Sequence, residues 1–445
     1  MRVVGEAKTG RGASCKDAVC DNQTPATMQL KTILNFVQKH PGFVYASFRL
    51  HRRHTRCWID VRIRPRGGSR PVCSGCGRRR SAYDRLDERR YQFVPLWGIA
   101  VYFVYRPRRC NCPRCGVKVE LLPWSNGKSP MTTTFAWFLA SWAKVLSWTE
   151  TARRFRTSWA TVFAAVRLAV EWGKAHRNLD GITAIGVDEL SWKKGHKYLT
   201  LVYQLDQGRR RLLWIGRDRT AQTFCTFFDW LGAEHAAKLQ FVVSDMWKAF
   251  VGTVARRASQ AVHVLDRFHV AKLCNDAIDQ VRRAEARKLR EAGDNVTLKH
   301  TRWVLVKRRA NLTGKQRSRL RELLRVNLTT VKAYLLKDDL SMFWKYKSPT
   351  WAGRFLDGWI VTAAASRIPP MVKLAKTLHQ HRELLLNWFR ARGQLALGAV
   401  EGLNNKARVT TKLAYGFRSY DHAEIALFHR LGQLPEPEWL THRFV

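Results

Sequence analysis

The chain has 445 residues, a formal net charge of +45, a pI of about 10.7 and 46% apolar side chains. That apolar content excludes global disorder, and the length suits roughly two to four domains. So large an excess of Lys and Arg needs a polyanionic partner, nucleic acid first and an anionic membrane surface second.

In chain order, residues 1–27 are dominated by Gly, Ala, Ser, Thr and Asp without an apolar period, and read as a loose extension with Met28 as an alternative start. The first residues carry no apolar signal core, and no apolar run is long enough to span a bilayer, so a cytoplasmic, non-membrane protein is expected. Residues 28–125 form an arginine-rich module, with 17 Arg against 4 acidic residues from His51 to Cys115. Five of the ten cysteines lie between Cys73 and Cys115. Cys73-Ser74-Gly75-Cys76 and Cys112-Pro113-Arg114-Cys115 are C-x-x-C knuckles, each followed by a glycine (Gly77, Gly116) that lets the backbone turn tightly around a metal. Together they supply four thiolates, the set a closed structural Zn²⁺ site requires. Two unrelated thiol pairs are the alternative, and Cys110 is a rival ligand. A hairpin such as Phe93–Tyr105 fits in the gap. Cys15 and Cys20 lack knuckle spacing and are expected to be free, while Cys57, Cys225 and Cys274 read as packing residues.

Residues 126–178 read as helices. Ser147-Trp148-Thr149-Glu150 has the form of a capping box and opens a short helix through Phe155. Arg156-Thr157-Ser158 makes a turn, and Ser158 can cap a longer helix with Val162, Val166 and Val170 on one face. Short helix, tight turn, longer helix is the layout of a helix-turn-helix, with Ser158, Trp159, Thr161 and Arg167 as candidate DNA contacts. An ordinary helical hairpin fits the same spacing.

From Gly181 the pattern changes to short β-rich runs at 183–188, 198–205, 211–216, 240–244 and 261–265, with helices at 220–232 and 246–257. Residues 267–397 are charged and helical in period, Thr313–Gln316 opens one helix like a capping box, and a last helix is expected from near Leu397. This order predicts an α/β ribonuclease H-like mixed sheet over 179–445 with an all-helical insertion at about 275–395. Asp188 and Asp245 each end an apolar run, and Glu401 lies in the last helix. Three converging carboxylates are what two Mg²⁺ or Mn²⁺ ions need to clamp a phosphodiester displacement. Glu189, Asp206, Asp218, Asp266 and Glu383 are rival acids. Asp266-Arg267-Phe268-His269 is a second suggestive cluster, in which His269 would steady an acid or contact DNA.

These motifs resemble the ISL-three family of bacterial insertion-sequence transposases, of the DDE class. The resemblance is carried by the two cysteine knuckles, Ala184–Glu189, Ser244–Trp247, Val264–Val270 and Glu401-Gly402-Leu403-Asn404-Asn405-Lys406. It implies a zinc-binding domain, a helix-turn-helix and a ribonuclease H-like core, with Asp188, Asp245 and Glu401 as the metal-binding triad. It matches Asp266 and His269 to a D-x-x-H element. It also implies terminal inverted repeats and target DNA as partners, assembly as a dimer or larger complex, and a nucleoid-associated bacterial protein. A non-catalytic DNA-binding regulator and a structure-specific nuclease are the other functions expected of such a chain.

Overall fold

The computed structural model describes residues 29–441 apart from Thr55, Lys194, His196, Gly393, Ala396 and Leu397. The expected N-terminal extension, Met28, Cys15 and Cys20 fall outside the described residues, as does Leu397. The chain divides into two compact units, 1–135 and 136–445, so the helices expected over 126–178 fall mostly with the C-terminal sheet.

The first unit opens with α1 (Leu30–Val37), followed by β1 (Phe43–Arg53), β2 (Arg56–Pro65), β3 (Ser81–Arg85), β4 (Arg89–Leu96), β5 (Ile99–Tyr105), β6 (Arg108–Cys112) and β7 (Gly116–Val119). Four strands pair in the order β1-β2-β5-β4, and three in the order β3-β6-β7. The expected hairpin is β4–β5, an antiparallel pair. Trp97 and Gly98 at its tip have φ of 48° and 79°, as a two-residue turn matched to strand twist requires. Strand alternation puts Val61, Ile63, Tyr91, Phe93, Val101 and Phe103 into one core around Trp124.

The second unit begins within α2 (Thr133–Ala143) and continues with α3 (Trp148–Arg154) and α4 (Trp159–His176). Then come β8 (Ala184–Lys193), β9 (Lys197–Gln204), β10 (Arg211–Arg217), α5 (Ala221–Leu231), α6 (Ala233–Ala237), β11 (Phe241–Ser244), α7 (Lys248–Arg257) and β12 (Val262–Leu265). The sheet order is β10-β9-β8-β11-β12. β8 is antiparallel to β9 and parallel to β11, and β11 is parallel to β12. On one face Ile185, Val187, Val202 and Leu213 pack against Phe224, Phe227 and Phe228 of α5 and Phe250 and Val254 of α7. Each of these phenylalanines is at most 2% exposed, and burying one is worth about 1.5–3 kcal/mol.

Helices α8 (Arg267–Glu291), α9 (Arg302–Val306), α10 (Gly314–Leu324), α11 (Thr329–Leu340), α12 (Pro349–Ala365), α13 (Pro369–Gln380) and α14 (Arg382–Ala391) follow β12, with no further sheet strand among the described residues. The Thr313 capping box is formed on α10, with both reciprocal bonds to Gln316. The chain then returns to the sheet as α15 (Ala399–Leu413), α16 (Tyr420–Leu431) and α17 (Glu438–Thr441). The helix expected from Leu397 is thus not the last, because Gly416 (φ 89°) breaks it and Ser419 caps another. A Cβ at Gly186 of β8 would lie 2.5 Å from Val400 Cγ2, so only glycine permits this approach of α15. No helix among the described residues is long and apolar enough to cross a membrane.

Candidate active site and cysteine cluster

Sheet register decides which acids meet. Gly186 of β8 pairs with Val243 of β11, and Val243 pairs with Val264 of β12. Two residues further along each chain stand Asp188, Asp245 and Asp266. β11 ends at Ser244 and β12 at Leu265, so Asp245 and Asp266 directly follow the ends of two parallel strands on one side of β8, near enough for both to raise the Asp188 carboxyl pKa; the three are called the acid row. One expectation needs correcting. Asp188 does not end its strand, because β8 runs on to Lys193 while pairing with β9. It stands where the shorter β11 and β12 stop.

Asp188 is 5% exposed. Its Oδ1 accepts the N–H of Glu189 at 2.7 Å, and its Oδ2 accepts the Asn404 side-chain amide from α15. Burial, reinforced by Asp245 and Asp266, pushes its carboxyl up to about 6 against the opposing pull of His269. Asp245 accepts the N–H of Trp247 at 3.0 Å, and its carbonyl accepts Ser244 Oγ, which also bonds His263 Nε2 at 2.7 Å. Asp266 caps α8 by accepting the N–H of Phe268 at 2.9 Å, and its other oxygen lies 3.4 Å from His269 Nδ1. Burial works against a charged His269, but Asp266, Asp188 and Asp245 outweigh it and hold the imidazole pKa above its ordinary value.

Glu401 lies in the first turn of α15, half-buried, without a side-chain hydrogen bond or ion pair among the described residues. It stands between two contacts of that helix with β8, Val400 on Gly186 and Asn404 on Asp188. The oxygens of Asp188, Asp245 and Glu401 are not drawn into one tight shell: the set whose ligand atoms all lie within 4.8 Å of one another is the cysteine cluster. The donor chemistry nonetheless suits a hard divalent cation, since Asp188 is a buried carboxylate whose two oxygens each accept one hydrogen bond and keep a free lone pair. Three rival acids have structural partners: Glu189 pairs with Arg219 at 2.6 Å, Glu383 pairs with Arg382 at 2.6 Å, and Asp206 accepts from Thr183 and Gln204, while Asp218 lies at a bend with φ 68°.

The α3–α4 pair forms where expected, but the box expected at Ser147 is only half made, because the Glu150 carboxylate pairs with Arg153. Ser147 and Ser158 cap their helices, accepting from Glu150 N and Thr161 N, and Thr161 Oγ1 lies 2.8 Å from Ser158 Oγ. Trp159 stacks among Trp148, Phe163 and His422. Arg167 lies 4.7 Å over the Phe163 ring and pairs with Asp421. These partners on α16 had no sequence signal, because they stand some 260 residues downstream of α4.

In the first unit Cys73, Cys76, Cys112 and Cys115 bring their sulfurs within 4.8 Å of one another. Gly77 and Gly116 turn at φ 67° and 69°, and a Cβ on Gly75 would come within 3.0 Å of Cys115 Sγ. Burial works against a thiolate at Cys112, but the N–H groups of Arg114 and Cys115 outweigh it and bring the thiol down to about 6. Cys110, the rival, is fully buried beside the set but outside it, and burial raises its thiol pKa. The cluster is tied to the sheet by Glu120, which bridges to Cys73 and accepts from Tyr105 Oη and the Arg108 guanidinium.

A strongly basic chain with acids aligned at one end of a mixed sheet belongs among nucleic-acid-processing enzymes, and comparison with known proteins makes the class specific. The family profile of ISL3 transposases, described as "Transposase", matches residues 185–427, which contain the whole acid row and Glu401. The transposase for insertion sequence element IS1557 of Mycobacterium tuberculosis is 32% identical, covering 81% of this chain and 86% of that one. The transposase for IS1001 of Bordetella parapertussis is 30% identical, covering 79% and 86%. The chain belongs to the ISL3 family of insertion-sequence transposases.

Proposed function

We propose that this transposase is of the DDE type, binding the terminal inverted repeats of its element and carrying out metal-dependent strand cleavage and strand transfer. The observation that carries the reading is Asp188 on β8 beside Asp245, the residue just past the end of the neighbouring parallel β11, with the Glu401 helix bonded to Asp188 through Asn404. The sheet order, with its first three strands antiparallel and the next two parallel, supports a ribonuclease H-like core. Asp188, Asp245 and Glu401 would hold two Mg²⁺ or Mn²⁺ ions. Ions held there would supply Lewis acidity for phosphodiester displacement. The chain's own part is to position and to balance charge. Asp266, 3.4 Å from His269 Nδ1, keeps a basic imidazole beside the acids, and the basic surface holds the DNA phosphates. Water is the nucleophile in cleavage, and the freed 3′-hydroxyl is the nucleophile in joining. The four-cysteine cluster would hold a structural Zn²⁺.

End recognition is assigned to the cysteine module and to α3–α4. Trp159 and the α4 N-terminus, with Ser158 and Thr161, face DNA in this reading, and Arg167 contributes by exchanging Asp421 for phosphate. Two element ends have to be joined, which calls for a dimer or larger assembly on DNA. The test is cleavage and joining of end-bearing DNA with Mg²⁺ or Mn²⁺. Metal-dependent cleavage lost in Asp188→Asn and Glu401→Gln supports the reading. Specific binding that persists in EDTA without cleavage makes the chain a regulator, and cleavage without joining of pre-cut ends makes it a nuclease.

A further inference from the structure

Two acids of the row are oriented by the turns that follow them: Asp245 and Asp266 each accept a backbone N–H two residues ahead. Asp188 stands inside a continuous strand and has no such turn. Its Oδ1 is held by the next residue's N–H, but its Oδ2 depends on a side chain, Asn404, from 216 residues further along the chain. Asn404 in turn accepts the hydroxyl of Tyr203 on its Oδ1 at 2.7 Å. All three groups are buried, at 5% exposure for Asp188, 1% for Asn404 and 0% for Tyr203.

The chain of bonds has one consistent direction. An ionised Asp188 can only accept, so it takes the amide N–H₂ and leaves the amide oxygen for the Tyr203 hydroxyl, which donates to it. Tyr203 thereby holds Asn404 in the orientation that Asp188 selects. With the amide reversed, an oxygen would face a buried carboxylate. The backbone makes the contact possible: Gly186, cross-strand partner of Tyr203, carries no side chain, and Val400 fills that space. Val400 and Asn404 lie one helical turn apart, and Gly186 and Asp188 lie one pleat repeat apart on the same face. The two spacings match, so α15 docks along β8 in a single register.

We propose that Asn404 is a positioning residue of the metal site, oriented by Tyr203. It fixes the Asp188 carboxylate and, through the same bond, the register that presents Glu401, three residues earlier on α15. This rests on the reading of Asp188 and Glu401 as metal ligands. Neither Asn404 nor Tyr203 contacts the reacting atoms. Their effect passes through Asp188, as hydrogen-bonding partners behind metal ligands do, and loss of such a partner costs about 10–100-fold in metal affinity.

Mn²⁺ binding to the full chain, read by electron paramagnetic resonance of free Mn²⁺, tests this without needing turnover. Four proteins are compared: the parent, Asp188→Asn, Asn404→Leu and Tyr203→Phe. Tyr203→Phe removes one hydroxyl and keeps the ring, so it preserves the packing even where Asn404→Leu fails to fold. The expected result is that Asn404→Leu binds Mn²⁺ about 10–100-fold more weakly than the parent and Tyr203→Phe more weakly by a smaller factor, with unchanged metal-free circular dichroism in Tyr203→Phe. Parent-like affinity in folded Tyr203→Phe and Asn404→Leu overturns the positioning role and leaves the metal-site reading standing. Equal binding by the parent and Asp188→Asn overturns the metal-site reading, and this inference with it.

Discussion

The cysteine cluster and the acid row solve opposite problems with the same device, the convergence of anionic side chains. The cysteines come from two local knuckles, lie within 4.8 Å of one another, and are buried or half-buried. Four soft ligands at that spacing leave no place for a substrate, which is the property of a structural site. The acids proposed to hold metal, Asp188 and Asp245 of the row with Glu401, come from two neighbouring sheet segments and a distant helix and are more widely spaced. An open set of hard ligands leaves room for water and phosphate. Closed sites belong to folding, and open sites to chemistry.

The sharpest way to break that contrast is to remove the metals. Zinc binding to structural sites is worth roughly 10–16 kcal/mol. A strong zinc chelator, or Cys112→Ser, is therefore expected to abolish zinc content and unfold the first unit, as followed by elemental analysis and near-ultraviolet circular dichroism. Leaving Mg²⁺ and Mn²⁺ out of the assay, with zinc retained, should stop cleavage and leave the fold intact. If zinc removal spared the fold, the cysteine cluster would not be structural.

Next in size is the buried ion pair that ties the cluster to its sheet. Arg108 and Glu120 side chains are only 8% and 1% exposed, at 2.7 Å. Glu120→Ala leaves a buried guanidinium unpaired and should cost about 3–5 kcal/mol in a denaturant titration. A loss below 1 kcal/mol would show that water reaches Arg108.

At the acid row the expectation is reversed. Asp188→Asn removes a buried charge whose carboxyl is raised to about 6, so the metal-free protein should be as stable or more stable at pH 8, while cleavage falls by more than about 100-fold. A large drop in melting temperature together with lost cleavage would instead make Asp188 structural.

The smallest effect is on pH. Burial depresses His40 and His263 to about 4 and His429 to about 3. A histidine whose pKa is lowered by folding contributes stability above its unfolded value near 6.5, and that stability is lost as pH falls toward the folded value. Each of the three should take away about 1.4 kcal/mol per pH unit between roughly 6.5 and 4. Asp188, raised on folding, has the opposite sign in metal-free protein: its contribution is present below its unfolded pKa and lost as pH rises through about 6. His429→Gln should flatten the melting-temperature profile between pH 7 and 5 by one histidine's share, and an unchanged slope would mean that His429 is not buried neutral.

Much of this was legible in the chain itself. The five core strands, the β4–β5 hairpin, the caps at Ser147, Ser158 and Thr313, and the cysteine quartet all follow from local patterns. Local patterns suffice there because a cap, a knuckle or a strand period spans only a few residues. Three features were not legible. Asp188 lies mid-strand because β9 continues the ladder past the point where β11 stops, and strand pairing is not a local property. Arg167 and Trp159 are engaged by Asp421 and His422, from a helix whose own sequence says nothing about α4. Asn404 stood in a recognised motif, yet its bond to Asp188 exists only once α15 has docked.

The sequence by itself determined the ligand types, the charge that calls for nucleic acid, and the elements that carry them. These depend on composition and short-range periodicity, which folding does not alter. Only the tertiary structure decided which acids share a row and what holds each one. Register in a parallel sheet and the docking of a helix against a glycine are long-range packing choices, set by the shapes of partners hundreds of residues apart.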